Sequence, residues 1–135
     1  MNNLNMSCIL TVLGKTFDVD HFVQSTKMVG FKKRFKGEII SLSRQKKLEY
    51  SYASIEISGE GFDSLEKQIV DAEVFLRLNK ENLSSIKTAE GVDFATINFG
   101  SNLNGENVQS FFFPPTLLLL CAELELGIEL TAYSI

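Results

Sequence analysis

The sequence predicts a single α+β domain over residues 1–135, with the element order β-α-β-β-α-β-α-β. Segments in which apolar and polar residues alternate, as in strands with one buried face, recur along the chain. Between them lie segments with apolar residues at i, i+3, i+4 and i+7, the spacing of a helix with one buried side. The length of 135 residues and the 44% apolar fraction suit one globular domain with one core.

The first half of the chain predicts three strands and one helix. A strand lies in NMSCILTVL, with Met6 and Cys8 on its apolar face, and a short helix capped by Asp18 follows in FDVDHFVQSTK. FKKRFKGEII is expected to be a strand interrupted near Gly37. In the strand YSYASIEIS, Ala53, Ile55 and Ile57 share one face, while Tyr52, Ser54 and Glu56 share the other.

The second half predicts two helices and two strands. A long helix begins near Asp63, which has capping-box spacing to Glu66, and the strand GVDFATINFG follows it. The apolar stripe of this long helix consists of Leu65, Ile69, Ala72 and Leu76. Pro114 and Pro115 open a second helix, and Gly127 is expected just after its end. The buried stripe of this helix is Leu117, Leu120, Cys121 and Leu124, which leaves Leu119 and Leu126 unexplained. The strand IELTAYS closes the chain.

The order of these elements predicts the sheet. The first six are those of a ferredoxin-like unit, an antiparallel sheet with helices on one face, and a C-terminal helix and strand extend it. The uncharged run at residues 107–122 is shorter than the ~20 residues of a membrane span, so no membrane partner is expected. The N-terminus has no signal-peptide pattern, which predicts a cytoplasmic location with Cys8 and Cys121 as buried free thiols.

Charge is divided unevenly along the chain. Residues 1–48 carry nine Lys/Arg and three Asp/Glu, a net of +6, whereas residues 49–135 carry a net of −10. The densest basic group is Lys32, Lys33, Arg34 and Lys36. We favour the interpretation that these side chains protect an edge strand. The alternative is a patch for an anionic ligand or nucleic acid, and the acidic balance of the whole domain argues against nucleic acid.

Several motifs resemble a known bacterial family. SCILTVLGKTFDVDHFVQSTKM, the KGE turn at residues 36–38, FDSLEKQI and FPPTLLLLCAELELGIELTAYS are similar to segments of the family catalogued as domain of unknown function 4279. The resemblance implies the α+β fold and no established reaction. Such proteins tend to have a tryptophan on the strand after the KGE turn, and here Tyr52 takes that place. By analogy, some small bacterial proteins of this type resemble immunity proteins against secreted toxins.

The sequence offers little for catalysis. His21 is the single histidine, and a cysteine–histidine mechanism would need Cys8 beside it, although free cysteine is among the most buried residue types. Asp18 and Asp20 near His21 are explained by helix capping better than by a metal site. No phosphate-binding glycine motif is present. We therefore expect no enzyme activity, no cofactor and no metal.

Two surfaces are candidates for recognition. Val70, Val74 and Leu78 form a second apolar stripe on the long helix, and we favour its packing under the terminal helix or the NLSSI segment over contact with a partner. Tyr52, Glu56, Glu129 and Tyr133 are predicted on the sheet face opposite the core, where tyrosine and carboxylates suit protein recognition. The leading hypothesis is protein binding, including toxin immunity, with the acidic part contacting a basic partner. The alternatives are an anionic-ligand or small enzymatic domain using residues 32–36, and a homodimer formed through the sheet face.

Overall fold

The computed structural model describes residues 7–105 and 108–134. Met6 of the first predicted strand and the start of the uncharged run lie outside these residues. The strands are β1 (Cys8–Gly14), β2 (Lys32–Arg34), β3 (Ile39–Ser41), β4 (Lys46–Lys47), β5 (Ser51–Ser58), β6 (Phe94–Asn102) and β7 (Gly127–Tyr133). The helices are α1 (Val19–Thr26), α2 (Leu65–Leu78), α3 (Lys80–Leu83) and α4 (Pro115–Glu123), with a 3-10 helix at Ser84–Lys87 after α3. The predicted α+β class is confirmed.

One five-stranded sheet organises the fold, in the order β2-β5-β1-β6-β7. β1 pairs antiparallel with β5 and β6, and β2 pairs antiparallel with β5. β7 pairs parallel with β6, so the prediction of an antiparallel sheet is wrong for the last strand. The reason is the connection: α4 returns the chain along the helix layer, and β7 then runs in the direction of β6.

The hydrophobic core lies between one face of this sheet and the helices. Alternate residues of β1, β5 and β6 join buried residues of α1, α2 and α4 in one apolar cluster. From the sheet it includes Cys8, Leu10, Val12, Ala53, Ile55, Ile97 and Phe99. The opposite face of the sheet contributes no residue of β1 to this cluster, and we call it the open face.

The segment predicted as one interrupted strand, residues 31–40, divides into two structures. β2 is only three residues long, and after a turn at Gly37, where φ is +93°, the chain forms the separate two-stranded sheet β3–β4. Ile39 pairs with Lys47 in this hairpin, and the N–H of Leu48 donates to the carbonyl of Glu38 over 2.8 Å. We call residues 36–48 the basic ribbon.

Two predicted helix ends are shifted. The N-cap of α2 is Ser64 and not Asp63, because a turn from Gly61 to Ser64 places Asp63 ahead of the helix. α4 ends at Glu123, and Glu125, with φ +57°, takes the left-handed position expected of Gly127. The N–H groups of Glu125 and Leu126 donate to the carbonyls of Ala122 and Cys121, the two bonds of a Schellman motif.

This helix end accounts for the two leucines outside the predicted stripe. Leu126 is buried after the turn, whereas Leu119 is 63% exposed on the outside of α4. α4 holds the second half of the uncharged run, residues 115–122. Among the helices in residues 7–105 and 108–134, none combines the length and the apolar character that a membrane span requires.

Candidate functional site

A row of four side chains crosses the open face at mid-sheet. Ile9 of β1 pairs with Glu56 of β5 on one side and with Asn98 of β6 on the other, and Asn98 pairs with Glu129 of β7. Three strand spacings place the backbones of Glu56 and Glu129 roughly 14 Å apart. Both glutamates are exposed, and neither forms an ion pair within the described residues. The row therefore presents two exposed carboxylates at its ends.

The centre of the row is less polar than its ends. Ile9 is half-buried, and Asn98 is fixed by a 2.9 Å hydrogen bond from its Nδ2 to Oγ1 of Thr131. An apolar and hydrogen-bonded centre between exposed carboxylates is a surface that a protein partner could cover.

Tyr52 lies at one corner of the open face. It is half-buried and does not belong to the core cluster, so it does not act as a core substitute for a tryptophan. Its ring centroid is 6.4 Å from that of Tyr50. A shallow depression of 310 Å³ surrounds it, lined also by Ile9, Thr11, Arg34, Leu48 and Ser54.

Tyr133 lies at the diagonally opposite corner. Tyr52 pairs with Leu13, which pairs with Phe94 at the start of β6, whereas Tyr133 pairs with Asn102 at its end. This separation amounts to roughly 30 Å from the strand rise and spacing. The sheet thus brings the two glutamates into one row but keeps the two tyrosines apart.

The basic residues of β2 do not converge. Lys32 and Arg34 pair with Ser54 and Tyr52 and share the open face, while Lys33 points to the helices and contacts Asp20 at 2.7 Å. Arg34 contacts Glu38 at 2.8 Å, and this hydrogen bond is the main cause that lowers the pKa of the Glu38 carboxyl. These contacts weaken the hypothesis of a common anion site formed by residues 32–36.

Lys36 belongs to a different group of cations. It lines a depression of 540 Å³ together with Lys15 from the β1–α1 turn and Lys47 from β4. The ammonium of Lys15 also lies 5.8 Å from the ring centroid of Tyr50. This convergence of three elements could not be seen from the spacing in the sequence.

The thiols and the histidine do not form a catalytic arrangement. Cys8 is 0% exposed and Cys121 is 2% exposed, and both are free thiols. Burial raises the pKa of Cys121 to about 11, and burial together with the charge of Asp71 raises the pKa of Cys8 further above its usual value. His21 is exposed at the start of α1, where its N–H donates to Asp18. A substrate at His21 therefore could not reach Cys8.

The pattern of apolar residues in the sequence did not predict the burial of Gln68. This glutamine is fully buried, and its Nε2 donates to the carbonyls of Gly61 and Gly100 over 3.0 and 2.8 Å. It ties α2 to β6 and to the loop after β5. The signal in the sequence is its spacing, three residues after Leu65 and four before Ala72, which places it on the side of the apolar stripe.

The second apolar stripe of α2 stays at the surface. Val70, Val74 and Leu78 are 60%, 49% and 79% exposed, so the favoured interpretation, packing within the domain, is wrong. α4 lies beside a different side of α2, since Thr116 hydrogen-bonds Glu73. Within residues 7–105 and 108–134, no group of three or more potential His, Cys, Asp or Glu ligands is placed to hold a metal ion.

Comparisons of this chain with protein-family models, with curated proteins and with solved structures found no match. The resemblance to the family of domain of unknown function 4279 therefore stays a prediction.

Proposed function

We propose that this chain is a binding protein without catalytic activity, and that the open face contacts a basic surface on a protein partner. The observation that carries the proposal is the row of Glu56, Ile9, Asn98 and Glu129. Two exposed carboxylates without an ion pair among the described residues flank a partly apolar centre, and complementary charges at such positions direct association and select the partner.

Aromatic side chains at the corners of the face support the same proposal. Phe94 is 57% exposed and Tyr133 is 43% exposed, and Tyr52 lines the depression beside the row. Aromatic residues supply large contact areas at protein interfaces with little loss of side-chain entropy. The partner would cover the face from Tyr52 to Glu129 and would present lysine or arginine to the two glutamates.

Neutralisation of a toxin is the particular form of protein binding that we propose, and it rests on the family resemblance and on this charge pattern. The ferredoxin-like arrangement that we infer for β1, α1, β2, β5, α2 and β6 provides the support on which the face is held. A bacterial toxin with a basic active site would be the expected partner, encoded next to this gene.

The test is charge reversal with a matched control. The protein encoded by the neighbouring gene is purified, and its affinity is measured by calorimetry for the wild type, for Glu56→Lys/Glu129→Lys and for Glu81→Lys/Glu90→Lys. Glu81 and Glu90 are exposed and lie outside the open face, so they change the net charge equally. We expect at least a tenfold loss of affinity for Glu56→Lys/Glu129→Lys and no loss for Glu81→Lys/Glu90→Lys, since each removed charge contact is worth roughly 1 kcal/mol.

Equal effects of the two double variants would contradict the proposal, because they would show a dependence on net charge alone. Sedimentation equilibrium of the wild type tests the alternative that the open face forms a homodimer. A dimer that Glu56→Lys/Glu129→Lys dissociates would assign the face to self-association instead of a separate partner.

A further inference from the structure

We propose that the basic ribbon, whose Leu48 borders the open face at Tyr52, docks on an anionic phospholipid surface through its lysines and its exposed aliphatic side chains. The first observation is the exposure of its aliphatic side chains. Ile39, Ile40 and Leu42 are 55%, 52% and 81% exposed. The pairing of β3 with β4 has a register shift between Ile39 and Ser41, so simple alternation does not describe the two isoleucines, and each remains more than half exposed. Leu42, which directly follows β3 at the turn, is the most exposed of the three.

The second observation is the charge around these aliphatic side chains. Lys36, Arg44, Lys46 and Lys47 are exposed, and their side chains form no ion pair within the described residues. The one carboxylate in the ribbon, Glu38, is already bound to Arg34. The ribbon therefore presents four exposed cationic side chains.

The third observation is the position of the lysines. Lys36 and Lys47 of the ribbon share a depression of 540 Å³ with Lys15, large enough for a phosphate headgroup. A single Glu49 also lines it. Lipid phosphates beside the lysines would leave the tip, at Leu42, free to enter the boundary of the acyl chains.

These features together favour a lipid surface over other anionic partners. Stable attachment to a bilayer needs two signals, an apolar insertion and a basic patch, and the ribbon supplies both. Single-stranded nucleic acid is bound by stacking on aromatic side chains, and Tyr50 and Tyr52 line one depression with Lys46 and Lys47 of the ribbon. Such a partner would leave the exposed aliphatic side chain of Leu42 unused, because phosphates and base edges gain little from contact with it. The proposal departs from the expectation of no membrane partner, which rested on the length of the C-terminal apolar run.

The experiment is co-sedimentation of the full chain with two kinds of vesicle, phosphatidylcholine alone and an equimolar mixture with phosphatidylglycerol. The wild type should sediment with the mixed vesicles and not with phosphatidylcholine, and added sodium chloride should release it. Lys46→Gln/Lys47→Gln should weaken binding about thirtyfold, because each basic residue near an anionic leaflet contributes about a factor of five. Ile40→Ser/Leu42→Ser should weaken it at least about tenfold through the lost apolar insertion.

The control is Lys67→Gln/Lys87→Gln, which removes two exposed lysines on the helical side and should bind like the wild type. Absence of sedimentation with the mixed vesicles would overturn the proposal, as would full binding by Ile40→Ser/Leu42→Ser. Retention of a DNA duplex without vesicle binding would assign the ribbon to nucleic acid and also overturn it. Inorganic phosphate should compete no better than chloride at equal ionic strength, and stronger competition would indicate a site for free phosphate instead.

Discussion

The ring of Phe62 lies directly over Gly100 on the open face. A Cβ placed on Gly100 would come within 2.6 Å of a ring carbon of Phe62 and 3.3 Å of the carbonyl oxygen of Ser7. The ring also packs on Tyr133, with 4.8 Å between the ring centroids. The absence of a side chain at Gly100 thus lets the ring of Phe62, from the loop after β5, cover one corner of the sheet.

Gly100→Ala should lower the free energy of unfolding by roughly 1–3 kcal/mol, because the added methyl group overpacks against the ring. Denaturant unfolding measures the change. In a Phe62→Ala background the same substitution should cost less than about 1 kcal/mol, since the obstructing ring is gone. Gly59→Ala is the control, as its Cβ would meet its nearest atom at an ordinary 3.6 Å. An equal cost of Gly100→Ala in both backgrounds would contradict this packing.

Glu125 occupies a backbone conformation that favours glycine. Its φ of +57° follows from the Schellman motif that ends α4. Glu125→Gly should therefore raise the free energy of unfolding by about 0.5–1 kcal/mol. Ala122→Gly, an exposed position inside the same helix, should lower it by about 1 kcal/mol. Destabilisation by Glu125→Gly, measured as a lower melting temperature, would be incompatible with the left-handed conformation.

The buried thiols should make the free energy of unfolding depend on pH in the alkaline range. Burial raises the pKa of Cys121 to about 11, and the pKa of Cys8 is raised further. A raised pKa means that the folded state holds its proton when the unfolded chain has lost it. The stabilisation that the protonated thiols give to the folded state is therefore complete below about pH 9 and is lost as pH rises towards 11 and beyond. Each thiol should lower the free energy of unfolding by up to about 1.4 kcal/mol per pH unit in this range.

Cys8→Ala/Cys121→Ala isolates this effect from the titration of lysines and tyrosines. The unfolding free energies of the wild type and of this variant, measured from pH 8 to about 11, should converge as pH rises. Parallel curves would show that the thiols ionise normally in the folded state. Labelling with a thiol reagent at neutral pH should in addition be far slower before denaturation than after it.

Alternation and helical periodicity were sufficient to predict the faces of the main elements. Leu10 and Val12 on β1, and Ile69 and Leu76 on α2, are buried as the pattern indicates. These patterns depend on local spacing alone, which the sequence contains directly. The open face carrying Tyr52 and Glu56 follows from the same rule.

The register of the strands and the geometry of the turns could not be predicted from alternation and helical periodicity. The row that joins Glu56 to Glu129 depends on three strand pairings and on a register shift between Cys8 and Ile9, none of which the local pattern encodes. The parallel direction of β7 depends on where α4 packs. The basic ribbon was hidden because its aliphatic residues, Ile39 and Ile40, resemble the buried residues of an ordinary strand.

The measurement that tests the recognition surface most directly is Tyr52→Ala, examined for both binding and stability. Tyr52 is half-buried on the open face and outside the core cluster. Affinity for the protein partner should fall by roughly 1–4 kcal/mol, as for an aromatic anchor at an interface. The free energy of unfolding should change by about 1 kcal/mol or less, so that the thermal melt is nearly unaltered. A large drop in melting temperature, or unchanged affinity with an intact fold, would contradict the assignment of this face to recognition.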